Sequence, residues 1–224
     1  MSACKLILIG SGDFAIEVAE YIVENNHNTQ NEELIISDIV APSESRYNEF
    51  FSVLGYTPKY HKILDTIKYK DDKKAIICLG LAEWRNDFYK ELKEKKFNIY
   101  TFVHKTAWIS NSAKINEGAI ICPYVFIGAN AIVGANTSIN VRATIGHDVK
   151  IGESVVISPH VNINGRSKCG DVSFIGAGTI MDPESSIGNF SKVSSGALLK
   201  DSFGDGFLIT GSPAKGRQMF KSKN

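Results

Sequence analysis

The chain has 224 residues, of which 43% are hydrophobic, and a formal net charge of +1. That length suits one large domain or two small ones, and near-balanced charge excludes a strongly basic binder of nucleic acid or anionic membrane. The longest apolar runs, such as Leu6 to Ile9 and Ala75 to Leu79, are far too short to span a bilayer.

From the first residues, Lys5 to Gly10 reads as an apolar strand ending in glycine, without the basic segment and long apolar core of a signal peptide. Ser11, Gly12 and Asp13 follow, and Phe14 to Glu24 has helical spacing. A strand, a glycine-rich turn and a helix let backbone N–H groups approach a phosphate at the helix N-terminus. Gly10, Ser11 and Gly12 are therefore a candidate phosphate site, although a tight turn without a ligand has the same sequence. Leu34 to Ser37 is a second strand, and Asp38 stands at its end, where a carboxylate can accept hydrogen bonds from a ribose or base. The other reading of Asp38 is a solvated strand-end acid. Residues 41–60 read as loop-rich, with Pro42, Gly55 and Pro58. Lys73 to Gly80 is a third strand, Glu83 to Lys95 a charged amphipathic helix containing Arg85, and Asn98 to Val103 a fourth strand. Residues 1–102 thus form a small Rossmann-like α/β domain, too short for a two-half dinucleotide fold but able to hold a mononucleotide or nucleotide-linked sugar.

At Val103 a new period takes over. Every sixth residue to Leu199 is apolar, among them Ile109, Ile127, Ile145, Ile163, Cys169, Met181 and Val193. Four residues after most of them stands a small or β-branched residue, such as Ala131, Val149 or Ser167. A six-residue period fits neither a helix nor an alternating strand and is the mark of a hexapeptide β-helix. Three hexads make a triangular coil, so residues 103–200 stack roughly five coils. No insertion interrupts the phase, which leaves smooth prism faces and a neighbouring chain to build a site. Residues 201–224 supply a turn, a short apolar segment at Phe207 to Ile209 and a basic tail, a candidate cap for the last coil.

The four cysteines, Cys4, Cys78, Cys122 and Cys169, are scattered, without metal-type spacing, and read as reduced buried thiols of a cytoplasmic protein. Of the five histidines, His27 in an Asn-rich loop and His61 beside a tyrosine read as surface residues, and His104 as structural. His147 and His160 fall on repeat turns, where the core does not need them. A histidine there can take a proton near neutral pH, and Asp148 next to His147 is a candidate to orient it.

The segments IGSGDFAIEV, AIICLGLAEWR, INVRATIGHDVKIGESVVISPHVNINGRSKCGDVSFIGAGTIM and TGSPAK resemble the NeuD/PglD family of bacterial sugar acetyltransferases over essentially the whole chain. The resemblance implies a left-handed parallel β-helix, acetyl-CoA as donor without a metal, and a homotrimer with active sites between subunits. It implies N-acetylation of a nucleotide-linked amino sugar, such as a 4-amino-4,6-dideoxy sugar, in surface-glycan biosynthesis, with neither nucleic acid nor membrane as partner. Sugar O-acetylation and a non-catalytic sugar-nucleotide-binding β-helix are the alternatives. His147 matches the family's general base, and Asn140 lines the same site. The acid that precedes the base in PglD-like members is Gly146 here, a later family histidine is Val156, and the family's His-Pro near the first coil is His104-Lys105. Asp148 then becomes the catalytic acid candidate, and His160 a substrate contact. Ser158, Gly165, Ala177 and Lys215 match acetyl-CoA positions. Gly10, Ser11, Gly12, Asp38 and Arg85 match the nucleotide site.

Overall fold

Strand β1 (Ala3–Ile9) is apolar on both faces, with Leu6, Ile7, Leu8 and Ile9 all buried, as a central strand of a parallel sheet must be. The structure is a computed structural model and describes residues 3–26, 33–44, 46–67 and 72–220; His27 lies outside them. The other strands of this sheet are β2 (Glu33–Val40), β3 (Lys59–His61), β4 (Lys73–Ile77) and β5 (Asn98–Ile99). All pair in parallel, in the order β3-β2-β1-β4-β5. Helix α1 (Asp13–Asn26) buries Ala15, Val18, Ala19 and Ile22, the one-face spacing of an amphipathic helix. It packs with Leu6, Leu8, Ile36 and Ile39 on one side of the sheet. Helix α3 (Ala82–Glu94) sets Tyr89 and Leu92 against Ile7, Ile9, Ala75 and Ile77 on the other side. The chain order reverses beside β1, so the carboxyl ends of β1 and β4 flank the crevice where open α/β sheets receive ligands.

The loop-rich stretch 41–60 also contains regular structure. That stretch holds a two-turn helix, α2 (Tyr47–Leu54), closed by Gly55 at φ 72°, and the edge strand β3. Eight residues are too few for helical periodicity to stand out from a loop.

Between Phe102 and Leu199 the chain makes seventeen two-residue strands. All but the last three pair in parallel with the strand eighteen residues on, as Phe126 does with Thr144 and Thr144 with Asn162. The repeated aliphatics point inward, with Ile127, Ile145 and Ile163 fully buried, and so do Ala131, Val149 and Ser167. Val103 departs from this pattern: it is 38% exposed while Phe102 is fully buried. Val103 belongs to the terminal coil, where no further coil lies beneath it. Ile109 and Ile115 are half-buried for the same reason, and their strands, Trp108–Ile109 and Lys114–Ile115, pair on one side only.

The three faces of the prism differ in their outward residues. The first, through Phe102, Ile120, Ser138 and Val156, is buried under the α/β layer. The second carries Trp108, Phe126, Ile180 and Leu198, and the third Lys114, Lys150 and Lys168. Corners are turned by residues with positive φ. Tyr124, Arg142 and His160 turn the corner between the first and second faces, Asn130, Asp148 and Arg166 the next, and Asn136, Ser154 and Val172 the third. The last coil is covered by two strands: Phe207–Thr210 runs parallel to Lys192–Val193, and Lys215–Gln218 turns back antiparallel on it.

Arg85 joins the two layers. It is fully buried and donates hydrogen bonds to the backbone and side-chain oxygens of Asn136 and to the carbonyls of Ile77 and Leu79. Asn136 returns a bond to the Arg85 carbonyl at 2.9 Å and holds Ser154 Oγ at 2.9 Å. Burial lowers the guanidinium pKa to about 10, which leaves it charged at neutral pH. The assignment of Arg85 to substrate is therefore corrected, because its donors are committed to the joint. Replacing it with methionine strands several buried carbonyl acceptors. Arg85→Met is expected to cost about 3 kcal/mol, read as a shifted midpoint in urea unfolding.

Candidate functional site

The turn Gly146-His147-Asp148 lies at the corner between the second and third prism faces. Asp148 has φ 58°, and this left-handed turn swings its carboxylate back onto the preceding side chain. His147 Nδ1 lies 2.8 Å from Asp148 Oδ2. Asn130, one coil earlier, donates from Nδ2 to Asp148 Oδ1 at 3.2 Å. The bond from His147, then that from Asn130, holds the Asp148 carboxyl below the usual carboxylate range. An ionised Asp148 fixes Nδ1 as the donor, so Nε2 of the neutral imidazole is the acceptor.

The ring rests on the next coil. A Cβ placed on Gly165 would stand 2.5 Å from His147 Nε2 and 2.6 Å from Cε1. Gly165 is thus glycine because the imidazole occupies the space a side chain would fill. A Cβ on Gly146 would meet the Gly165 nitrogen at 2.8 Å, so the stacking that seats the ring has no room for an acid before the histidine. His147 remains half-exposed, with Nε2 within reach of a reactant.

The other predicted residues divide between corners. Asn140, Ser158, His160 and Ala177 lie at the corner between the first and second faces, and His147, Asp148 and Gly165 at the next. The single chain therefore does not bring Asn140 or His160 to His147. Asn140 Oδ1 accepts from Cys122 Sγ at 3.6 Å, Ser158 is 9% exposed, and Ala177 and His160 are exposed. Higher on that corner stand Gly178 and Gly196, above which a Cβ would meet nothing within 4 Å. Tyr124, Arg142 and His160 take the same positive φ with full side chains, so backbone geometry does not demand glycine at 178 and 196. These two glycines leave an open track, a feature sequence reading missed because glycine is frequent at repeat turns. Lys215 is exposed on the terminal strand.

In the α/β layer, Gly10 has φ 121° and a Cβ there would stand 2.8 Å from the Cys78 carbonyl oxygen, so the turn itself requires glycine. Ser11 is half-buried. Gly12 faces open space at the N-terminus of α1, where a phosphate finds free N–H groups. Arg46 stands beside it, bonded to Asp13 Oδ1 at 2.6 Å and to Glu49. Sequence reading missed Arg46 because it lies in the stretch read as loop-rich.

Asp38 and His61 are corrected together. β2 continues to Val40, so Asp38 lies inside a strand and is 2% exposed. It accepts from His61 Nε2 at 2.8 Å, from Ser37 Oγ at 2.6 Å and from Lys73. His61, read as a surface residue, is buried, and its Nδ1 lies 2.8 Å from Thr66 Oγ1. Buried and held by three donors within the protein, Asp38 does not present its carboxylate to a ribose. Cys4, Cys78, Cys122 and Cys169 are buried free thiols. Among the described residues no group of His, Cys, Asp or Glu is placed to hold a metal, and no helix is long and apolar enough to cross a membrane.

Two substitutions test this geometry. Gly165→Ala is expected to push the His147 ring off the coil, seen as a changed imidazole resonance and weaker Nδ1 bonding to Asp148, with the fold retained. Asp38 gives a signed pH dependence. Burial raises its pKa, but bonds from Lys73, Ser37 and His61 outweigh that and leave it lowered. Its stabilisation is present above the unfolded value of about 3.9 and is lost as pH falls through the lower folded value. Asp38→Asn should lose about 3 kcal/mol near neutrality, and the gap to the parent should close below about pH 4.

No protein-family model matches the chain, and no curated protein matches it. Solved structures do. A point variant of perosamine N-acetyltransferase from Caulobacter crescentus, in complex with CoA and GDP-perosamine, aligns with a TM-score of 0.83 at 23% identity, covering 95% of this chain and 96% of that one. The acetyltransferase domain of PglB from Neisseria gonorrhoeae aligns at 0.83 and 22% identity, covering 96% and 100%. WeeI from Acinetobacter baumannii aligns at 0.69 and 19%, covering 95% and 99%. At such identities the likeness is one of fold: over nearly its whole length this chain has the architecture of these acetyltransferase structures, a hexapeptide-repeat left-handed β-helix.

Proposed function

We propose that the chain is an acetyl-CoA-dependent N-acetyltransferase acting on the amino group of a nucleotide-linked amino sugar, with His147 as general base. The observation that carries this reading is the His147–Asp148 pair, with Nε2 free above Gly165, on a fold shared with a perosamine N-acetyltransferase that binds CoA and GDP-perosamine.

The acceptor nitrogen attacks the thioester carbonyl as Nε2 takes its proton. The carbon–nitrogen bond forms, the carbon–sulfur bond breaks, and the departing thiolate takes the proton from the Nε2 imidazolium, which restores the base. Asp148 stabilises the imidazolium. The fully buried cysteines offer no nucleophile, and burial raises the Cys78, Cys122 and Cys169 thiols. The open track at Gly178 and Gly196 suits the pantetheine arm of acetyl-CoA, alongside Ser158 and Ala177. The diphosphate belongs at Gly12, between the α1 N-terminus and Arg46.

The geometry supports a site shared between copies of the chain. The α/β layer covers the first face, whereas His147 stands at the opposite corner. A sugar nucleotide held in one layer lies across the prism from its own chain's corner. A second copy lying against the second face supplies the missing imidazole. That face carries the exposed Trp108 and Phe126, stacked with centroids 4.7 Å apart, and Ile180, which a homotrimer would bury.

Thiol release from acetyl-CoA in the presence of nucleotide-linked amino sugars tests the reaction. His147→Ala should lose at least about a hundredfold in kcat, and near-parental turnover would end the role. Mixing tests the sharing. Inactive His147→Ala and inactive Gly12→Asp, whose carboxylate would repel the diphosphate, should together recover about a quarter of the sites in a random assembly. No recovery after co-refolding would place both parts in one chain.

A further inference from the structure

At the carboxyl ends of β1 and β4, bordered by Gly10 of the glycine turn, lies a cavity of about 490 Å³ whose other lining belongs to no sequence motif. Its floor is Ile9, Gly10 and Leu79, and one wall is the apolar pair Ile63 and Leu64. The facing wall is a single stripe of α3: Trp84, Asp87, Phe88 and Glu91. These positions are spaced i, i+3, i+4 and i+7, one face of a helix. Such a stripe normally packs on a core, yet Trp84 is 59% exposed and Ile63 opposite it 54% exposed. Two aromatic or aliphatic walls with an open mouth form a slot for a flat ring.

The polar group of the slot selects the ring. Glu91 is paired with Lys95 at 3.2 Å. Asp87, between the two aromatics on the stripe, is exposed and makes no ion pair or hydrogen bond among the described residues. A carboxylate only accepts hydrogen bonds. The cavity is lined by two carboxylates and a single cation, Lys62, a balance that does not favour a diphosphate, which leaves the diphosphate to Gly12 and the base to the slot. Guanine presents two adjacent donors, N1–H and the N2 amino group, that match the two oxygens of one carboxylate. Uracil and thymine present a single N–H flanked by carbonyl oxygens that a carboxylate repels. Adenine and cytosine present one donor beside an acceptor nitrogen.

The geometry points to a guanine-nucleotide specificity pocket, in which Trp84 and Phe88 stack the base and Asp87 reads its N1–H and N2 amino edge. This assignment rests on the sugar-nucleotide reading above and names the nucleotide that reading leaves open. Arg85, on the same helix, holds α3 against the prism from its buried side, so the stripe is presented by a fixed element.

The test uses the full chain and calorimetric titration with GDP, UDP and dTDP, without acetyl-CoA. GDP should bind at least about tenfold more tightly than either pyrimidine nucleotide, the discrimination of one bidentate pair. Asp87→Asn should weaken GDP by about the same factor and leave UDP and dTDP unchanged or tighter. Trp84→Ala should weaken all three. Asp87 is exposed, so its variant is expected to fold, and far-ultraviolet circular dichroism checks that it does. Equal or tighter binding of UDP or dTDP to the parent overturns the guanine assignment alone. An equal loss for all three nucleotides in Asp87→Asn also overturns it. Failure of every nucleotide to bind overturns both this assignment and the sugar-nucleotide reading on which it rests.

Discussion

Parallel pairing of each residue with the one eighteen positions on sets the chemistry of this chain as well as its shape. The register puts Gly165 directly over His147, and the imidazole lies where a side chain would otherwise be. The same register puts Asn130 one coil from Asp148, so that the carboxylate is held from both sides. Two-residue strands contribute little alone. The stack is cooperative because each inward aliphatic is covered by the coils above and below, and because backbone bonds such as Gly146 N–H to the Ile163 carbonyl repeat along the array. An inserted or deleted residue between His147 and Gly165 would turn the ring's support to another face.

The α/β layer is fixed to that stack by polar groups kept from water. Arg85 has no acidic partner within ion-pair distance among the described residues and is satisfied by carbonyl and amide oxygens instead. Asp38 meets both a lysine and a histidine. Buried charges of this kind are expensive to leave unpaired, so any rotation of α3 away from Asn136, or of β3 away from β2, is opposed. Specific orientation, rather than added stability, is the natural use of such contacts. The slot and the glycine turn are held at defined positions on the first face as a result.

The repeat was legible in the sequence because its period is unusual and unbroken, and the core positions follow from counting. The general-base candidate was legible as well, since a histidine on a repeat turn has no core duty. Other features depend on distances that counting does not give. Asp38 reads as a strand end only if β2 stops at Ser37; one further turn of pleat buries it. Arg85 matches a nucleotide-site position by resemblance, and its buried joint appears only once Asn136, fifty-one positions away, is placed against it. Trp84 and Phe88 read as the packed side of an amphipathic helix. Only the structure reveals that nothing in the described chain covers them fully. The departure at Gly146 also gains its reason from space, since the coil above it leaves no volume for a side chain.

The two ends of the prism are finished differently. One carries the antiparallel pair Phe207–Thr210 and Lys215–Gln218, whereas the strands at Trp108 and Lys114 have a bare edge. In a stack coupled only between neighbours, opening begins at the end with fewer bonds. Amide exchange should therefore advance as a front from Trp108 toward Phe126. The imidazole lies beyond that front, shielded by intact coils, so fraying at the bare edge can proceed without dismantling the chemistry.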